Sequence, residues 1–299
     1  MNTLNQNIKN GSNYEALQKS HPCFGKYPAN TGRIHLPVSP SCNIACRFCE
    51  RAINNYEQRP GVSNVILKPK ETIEIIRKSV EMCPEIKVVG IAGPGDTLAT
   101  NAALETFRLV RREFPDLIKC MSTNGLLLNE KADEVIDAGV DSLTVTVNAI
   151  DPKIEDKLNK FILYHGKKIE GVEAAEILIE NQLKGIEKVA AKGITVKVNS
   201  VLVTEINMRH IPTIAKRVSE LGAKIYNIIP LIPQYELKDC AAPNCIQLAA
   251  VRSDAGKYID VFRHCQRCRA DAIGIPGKSD IRNQVYKADW DVKETFSHG

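Results

Sequence analysis

The sequence has no long apolar run. None of its 299 residues belongs to a stretch approaching the roughly 18 uninterrupted apolar positions of a membrane helix, which excludes a protein built on such helices. An excess of charge is also missing. Forty Lys and Arg stand against 35 Asp and Glu, a net +5, too little to argue for nucleic acid. The polar N-terminus MNTLNQNIKNGSNYEALQKS holds no signal-peptide apolar core and places the chain in the cytoplasm. There is no internal repeat and no low-complexity linker. The 43% hydrophobic and 25% charged composition is that of a globular chain able to bury a large core, not a collagen-like or disordered one. The length suits one α/β barrel or two modest domains.

What is present in unusual number is cysteine. Ten occur, at 23, 42, 46, 49, 83, 120, 240, 245, 265 and 268. In a reducing cytosol, clustered cysteines indicate metal ligands or redox groups more than disulfides. Two tight groups stand out, Cys42/Cys46/Cys49 and Cys265/Cys268. Cys83, late in a helical pattern, reads as core. Cys240 and Cys245 fall in a weakly patterned stretch and receive no role.

From residue 34 short apolar runs alternate with helical patterns. Strands are expected at 34–38, 87–92, 117–122, 142–147, 195–202 and 225–229. Helices are expected at 71–82, 102–114, 129–139, 174–193 and 208–222, where apolar residues recur at helical spacing. Gly139, Gly193 and Gly222 stand where left-handed residues end helices. Six strand–helix alternations imply parallel strands with right-handed crossovers. No GxGxxG follows the first strand, so a dinucleotide-binding sheet loses weight. Six units are two short of a full eight-stranded barrel. The expected division is an arm over 1–30, an α/β partial barrel over 31–233 and a C-terminal extension over 234–299. In either architecture the chemistry belongs at the C-terminal strand ends.

The first strand is followed by SPSCNIACRFCER, with spacing Cys42-x3-Cys46-x2-Cys49. Three thiolates can take three irons of a [4Fe-4S] cluster and leave the fourth open for coordination. A zinc knuckle would need four closed ligands, and no fourth lies at suitable spacing. Strand two ends in Gly93-Pro94-Gly95-Asp96, where glycines admit a close ligand and Asp96 can accept hydrogen bonds; a plain turn is the competing reading. Thr123, Thr146, Asn148 and Ser200 close later strands and suggest a polar ligand, though each could also be a helix cap.

C-x3-C-x2-C after the first strand of a βα repeat marks the radical S-adenosylmethionine (SAM) enzymes, and this chain resembles them. The resemblance implies a partial (β/α)6 TIM-like barrel and SAM bound at the open iron. Four segments carry a closer likeness: His21-Pro22-Cys23, the cluster loop continuing to Arg59-Pro60-Gly61-Val62, GIAGPGD with STNG downstream, and HCQRCRADA from His264 to Ala272. Together, over roughly residues 20–275, they resemble the NifB family of nitrogenase-cofactor assembly enzymes. That resemblance implies two further [4Fe-4S] clusters as substrates. These are fused around a SAM-derived carbide with an added sulfur, giving an [8Fe-9S-C] precursor.

The remaining cysteines find a place under this reading. His21, Cys23, Cys120, Cys265 and Cys268 are the substrate-cluster candidates, all but Cys120 carried on extensions expected to fold over the barrel mouth. Cys120, by strand alternation, can point into the barrel, or can be a small buried hydrophobe. His264, adjacent to Cys265, is able to point away. The sequence departs from the family before RPGV, where a further cysteine is common. Tyr56 and Glu57 stand there, and Glu57 is a candidate oxygen ligand. No carrier domain follows HCQRCRADA, so the product is expected to pass to a separate carrier. Implied partners are a cluster donor, an electron donor and that acceptor, with no nucleic acid and no membrane; the chain is expected to be a monomer. The competing functions are a radical enzyme acting on an organic substrate through auxiliary clusters, and a non-catalytic iron–sulfur scaffold or carrier.

Overall fold

In the computed structural model, residues 13–25 and 30–286 are described; most of the expected N-terminal arm and the end of the polar tail lie outside them. The strands are β1 Gly32–His35, β2 Ile44–Cys46, β3 Ala52–Ile53, β4 Val62–Ser63, β5 Ile86–Ile91, β6 Ile118–Thr123, β7 Ser142–Thr146, β8 Asn159–Tyr164, β9 Lys167–Glu170, β10 Thr195–Leu202, β11 Ile225–Pro230, β12 Asp260–Phe262 and β13 Ile273–Gly274. The main helices are α1 Asn13–Ser20, α2 Thr72–Met82, α3 Ala102–Glu113, α4 Leu128–Asp137, α5 Pro152–Glu155, α6 Gly171–Ala191, α7 Ile211–Glu220 and α8 Cys245–Ala255.

The six expected strands appear as β1, β5, β6, β7, β10 and β11. They form the parallel centre of one sheet, ordered β12-β11-β10-β7-β6-β5-β1-β13. Each strand divides its side chains by alternation. On β10, Val196 and Val198 join the main core under the helices, while Lys197, Asn199 and Val201 face the barrel interior. On β6, Met121 goes to the core, while Cys120 and Ser122 face inward. The helices close over the outer face through Ile75, Ile76, Leu104, Phe107, Ile214 and Val218. Gly139, Gly193 and Gly222 end α4, α6 and α7 with φ of 78°, 88° and 95°, a region costly for other residues.

Several short elements are absent from the sequence reading. β8 and β9 form a hairpin turned by His165 and Gly166, both at positive φ. Its first strand pairs antiparallel with β2, setting Ile44 against Ile162. The first strand also lies earlier than expected, at 32–35.

The largest revision concerns the extensions. The sequence places them over the barrel mouth; the start of the C-terminal one does lie on the cysteine loop, Gln234 donating to the Phe48 carbonyl at 2.9 Å, while the segments carrying Cys23 and Cys265 reach the interior elsewhere. β12 and β13 are consecutive in the chain yet occupy opposite edges of the sheet. Residues 263–272, which carry Cys265 and Cys268, therefore cross the gap between the two edges. The physical reason is that an open edge leaves backbone groups unpaired. β13 satisfies part of the β1 edge by antiparallel pairing of Arg33 with Gly274. At the N-terminal side, Leu17 and Phe24 pack with Val88, Ile118 and Ile225, residues at or near strand starts rather than strand ends.

A buried ion pair fixes the crossing segment. The Arg269 guanidinium donates to both Asp271 carboxylate oxygens at 2.8 and 2.9 Å. It also donates to the carbonyls of Asn54, at 2.7 Å, and Glu57. Asp271 accepts in turn from the Asn64 amide at 2.6 Å. Both side chains are 1% exposed or less. Removing one partner of such a pair strands a buried charge, which typically costs about 3–5 kcal/mol. Asp271→Asn should therefore lower the melting temperature by on the order of 10 °C, and an apolar replacement of both residues should recover part of the loss. An unchanged melting temperature for Asp271→Asn would show that the pair does not hold the segment.

Candidate active site

The loop after β1 carries Cys42, Cys46 and Cys49, and three contacts fix its course. β2 pairs with β8. The Gly95 amide donates to the Ser39 carbonyl at 2.7 Å, and the Asp96 amide to the Ser41 carbonyl at 2.8 Å. A Cβ on Gly95 would lie 2.0 Å from the Ser41 oxygen, closer than any real contact. The sequence reads this glycine as room for a ligand; it does line the cavity, and the missing side chain also admits the cysteine loop. Gly93, at φ 122°, meets the need for a turn and does not line the cavity.

The three thiols face one cavity of about 350 Å3 inside the barrel. Burial pushes all of them up, Cys42 to about 12, so the metal-free thiols are neutral and metal must displace their protons. The Asn124 side-chain amide donates to Asn43 Oδ1 at 2.7 Å and lies 3.7 Å from Cys42 Sγ. Among the described residues, no three His, Cys, Asp or Glu side chains close on a single-ion site. Three thiols on one wall suit a multi-iron cluster, one thiolate to each of three irons.

The other strand-end candidates divide. Asp96 lines the cavity, but its carboxylate already accepts from the Leu98 amide, the Thr123 hydroxyl and the Asn124 amide, at 2.6–3.1 Å. It ties the end of β5 to the end of β6 before it can meet any ligand. Thr146 and Asn148 also line the cavity. The Thr146 carbonyl accepts from Gln182, and Asn148 Oδ1 accepts from the Val201 amide at 2.9 Å. Ser200 faces elsewhere: its hydroxyl donates to the Val147 carbonyl and meets the Tyr226 hydroxyl at 2.6 Å, so it is a packing residue and not part of the wall.

A second group of thiols enters the same cavity nearer the strand starts. Cys23, Cys120 and Cys265 pack around Phe24, Val88 and Phe262. Cys268 Sγ accepts from Arg33 Nη2 at 3.2 Å. His21 joins them, 2% exposed, with Nε2 lacking a partner among the described residues. Its Nδ1 accepts from the Cys23 amide at 3.0 Å. A neutral ring in that arrangement carries its proton on Nε2, so ligation through Nε2 requires this turn bond to open. Glu57 is not in the cavity wall. Arg59 holds its carboxylate at 2.5 Å and Asn54 at 2.6 Å, and this partnering makes the oxygen-ligand reading a poor fit. Cys83 is buried in the core, as its place in the helical pattern suggests.

Sequence reasoning missed Arg33, Arg51, Glu155 and Lys197, all in the cavity wall. A signal existed for Lys197: it interrupts an apolar central strand on the same face as Asn199. His264, read as able to point away from the site, lines the cavity.

A model of the radical SAM superfamily matches residues 36–218. Among solved structures, SuiB of Streptococcus suis with bound S-adenosylmethionine superposes with a TM-score of 0.57 at 14% identity, over 83% of this chain and 55% of that one. Methylornithine synthase (PylB) superposes at 0.50 and 14% identity, over 97% and 88%. These likenesses bear on the fold, a partial TIM-like barrel. The chain belongs to the radical SAM superfamily and is an enzyme; membership implies a [4Fe-4S] cluster and SAM as cofactors. It is 45% identical over 279 residues to the FeMo cofactor biosynthesis protein NifB of Methanocaldococcus infernus, covering 92% of each. It is 41% identical over 268 residues to the protein of the same name from Klebsiella pneumoniae, covering 87% of this chain and 57% of that one. Within the superfamily, then, the chain belongs to the NifB family.

Glu155 adds a buried acid to the cavity wall. It ends α5, is 2% exposed and lines the cavity. Its Oε2 has no partner among the described residues. Burial pushes its carboxyl up to about 8, against a smaller opposing effect of the Ala149 amide. The folded chain thus keeps this proton up to about pH 8, while the unfolded carboxyl titrates near 4.5. Between those values the folded state binds more protons, so stability falls as pH rises, by at most about 1.4 kcal/mol per unit. Glu155→Gln cannot ionise. In cluster-free protein its stability advantage over the parent should widen from pH 5 to pH 8 in denaturant titrations. Parallel pH profiles for the two proteins would show that this carboxyl is not buried as described.

Proposed function

We propose that the chain acts in nitrogenase-cofactor biosynthesis, fusing two [4Fe-4S] substrate clusters with a SAM-derived carbide and an added sulfur into an [8Fe-9S-C] precursor. The observation that carries this reading is the pair of separate thiol groups facing one cavity: Cys42/Cys46/Cys49 toward the strand ends, and Cys23, Cys120, Cys265 and Cys268 toward the strand starts. A radical enzyme needs the first group. The second has no part in SAM binding and suits substrate clusters that must be held and then released.

When bound, the cofactor cluster supplies the electron that splits the sulfonium of SAM. Cys42, Cys46 and Cys49 are the residues that would hold it, and Asn124 orients the loop beside Cys42. Asp96 holds the β5 and β6 ends together. Substrate clusters would sit between Cys23 and Cys120 and against Cys265 and Cys268, with His21 as a nitrogen ligand. Mixed and few ligands favour release of the product to a separate acceptor. One shared cavity keeps the carbon donor and the metal substrates together. The relatives' name, FeMo cofactor biosynthesis protein NifB, supports the same reading.

Two variants separate the groups. The triple replacement of Cys42, Cys46 and Cys49 by Ala should abolish 5′-deoxyadenosine formation. The double replacement of Cys265 and Cys268 by Ala should lose about four irons, keep the spectrum of the remaining cluster, and no longer activate cofactor-free nitrogenase. Wild-type activation by the double variant would contradict the assembly reading of that segment.

A further inference from the structure

Two buried lysines lie on strands of the central sheet that flank β7, and their surroundings differ. Lys119 on β6 pairs with Asp141 at 3.0 Å and donates to the Leu117 carbonyl. Lys197 on β10 is equally buried, at 6% exposure. Its one hydrogen bond among the described residues is a long contact of 3.4 Å to the Cys23 carbonyl, and no carboxylate pairs with it there. The rings of Phe24 and Phe262 lie 5.1 and 5.4 Å from its ammonium. Two rings offset only part of the cost of burying a charge. A buried ammonium without an anion is therefore an incomplete arrangement, and its missing partner is to be sought in the cavity that Lys197 lines.

The neighbours identify that partner. Cys23, Cys120 and Cys265 pack about the same Phe24 and Phe262 rings, and Lys197 is the charge that most favours thiolates at Cys23 and Cys120, against the larger effect of burial. A metal–sulfur cluster bound there would bring what Lys197 lacks. Each ligating thiol becomes a thiolate, and each sulfide is an acceptor whose hydrogen bonds tune the cluster. Arg33 already has this relation to Cys268, donating to its sulfur at 3.2 Å.

We propose that Lys197 is a substrate-binding residue, the fixed counter-charge of the metal–sulfur cluster held between Cys23 and Cys120, to whose sulfide its ammonium donates. The proposal rests on the cluster-assembly reading given above.

Lys197→Met retains the length of the stem and removes the charge; Lys197→Arg retains the charge. Each is reconstituted anaerobically with iron and sulfide beside the parent, and loss of iron to a chelator is followed in time. The melting temperature of the cluster-free form is recorded as well. In the Met variant the irons beyond the first four should leave about ten- to a hundredfold faster than in the parent, as for loss of one charge-assisted hydrogen bond. The Arg variant should hold them nearly as well as the parent. The cluster-free Met variant should melt a few degrees higher, because an uncompensated buried charge is gone. A lysine that served packing alone would give the opposite pair of results, a lower melting temperature and unchanged iron retention. Equal retention in the Met variant and the parent overturns the proposal. A parent that takes up no iron beyond about four overturns it together with the reading it rests on.

Discussion

Residues 263–272 run from one edge of the parallel sheet to the other, and the rest of the interior depends on that crossing. A partial barrel has two unsatisfied edges and an open flank. Here β12 extends one edge, β13 pairs with the other, and the connecting segment brings Cys265 and Cys268 into the interior. The segment cannot drift, because Arg269 and Asp271 bind it to the backbone at Asn54, Glu57 and Asn64. These residues belong to the stretch that follows the Cys42–Cys49 loop. The two thiol groups are thereby set in one rigid frame, at opposite ends of a shared cavity.

Within that frame the protein holds the components of a charged site with some of the charges absent. Burial keeps the Cys23, Cys42, Cys46, Cys49 and Cys120 thiols protonated and Glu155 protonated to about pH 8. Burial also holds the His21 imidazole neutral. Against these neutral groups stand the cations Lys197 and Arg33, neither in an ion pair with a carboxylate among the described residues. Such a balance is uncomfortable for the empty protein and favourable once metal and sulfide enter. Folding stability is thus lower than the core alone would give, a pattern expected where a site is shaped for its ligand.

The repeating units were legible in the sequence because their signals are local. Apolar periodicity located the six central strands and their helices to within a few residues, and C-x3-C-x2-C announced the cluster loop. The gap-crossing segment was not legible as such. Nothing local in HCQRCRADA says that its flanks join opposite edges of a sheet, since β12 and β13 span only 260–262 and 273–274. Gly95 was noticed for its residue type and does line the cavity, but its close approach to Ser41 was not legible, being a contact between distant loops. Ser200 and Glu57 were chosen by position at a strand end and beside RPGV. Their partners, Val147 and Tyr226 for one, Arg59 and Asn54 for the other, appear only in three dimensions. Lys197 escaped notice because an isolated lysine in a strand is ordinary until its lack of a carboxylate is seen.

The central claim is that this radical enzyme's substrate is metal rather than an organic molecule. It is tested most directly by following the methyl carbon. Anaerobically reconstituted protein is given a reductant and SAM carrying an isotopic label in the methyl group. The metal cluster is then extracted, its label is measured, and it is supplied to cofactor-free nitrogenase. The account predicts that the label resides in the extracted cluster and that this cluster restores nitrogenase activity. Label confined to SAM or to an organic product, with nitrogenase left inactive, would contradict it.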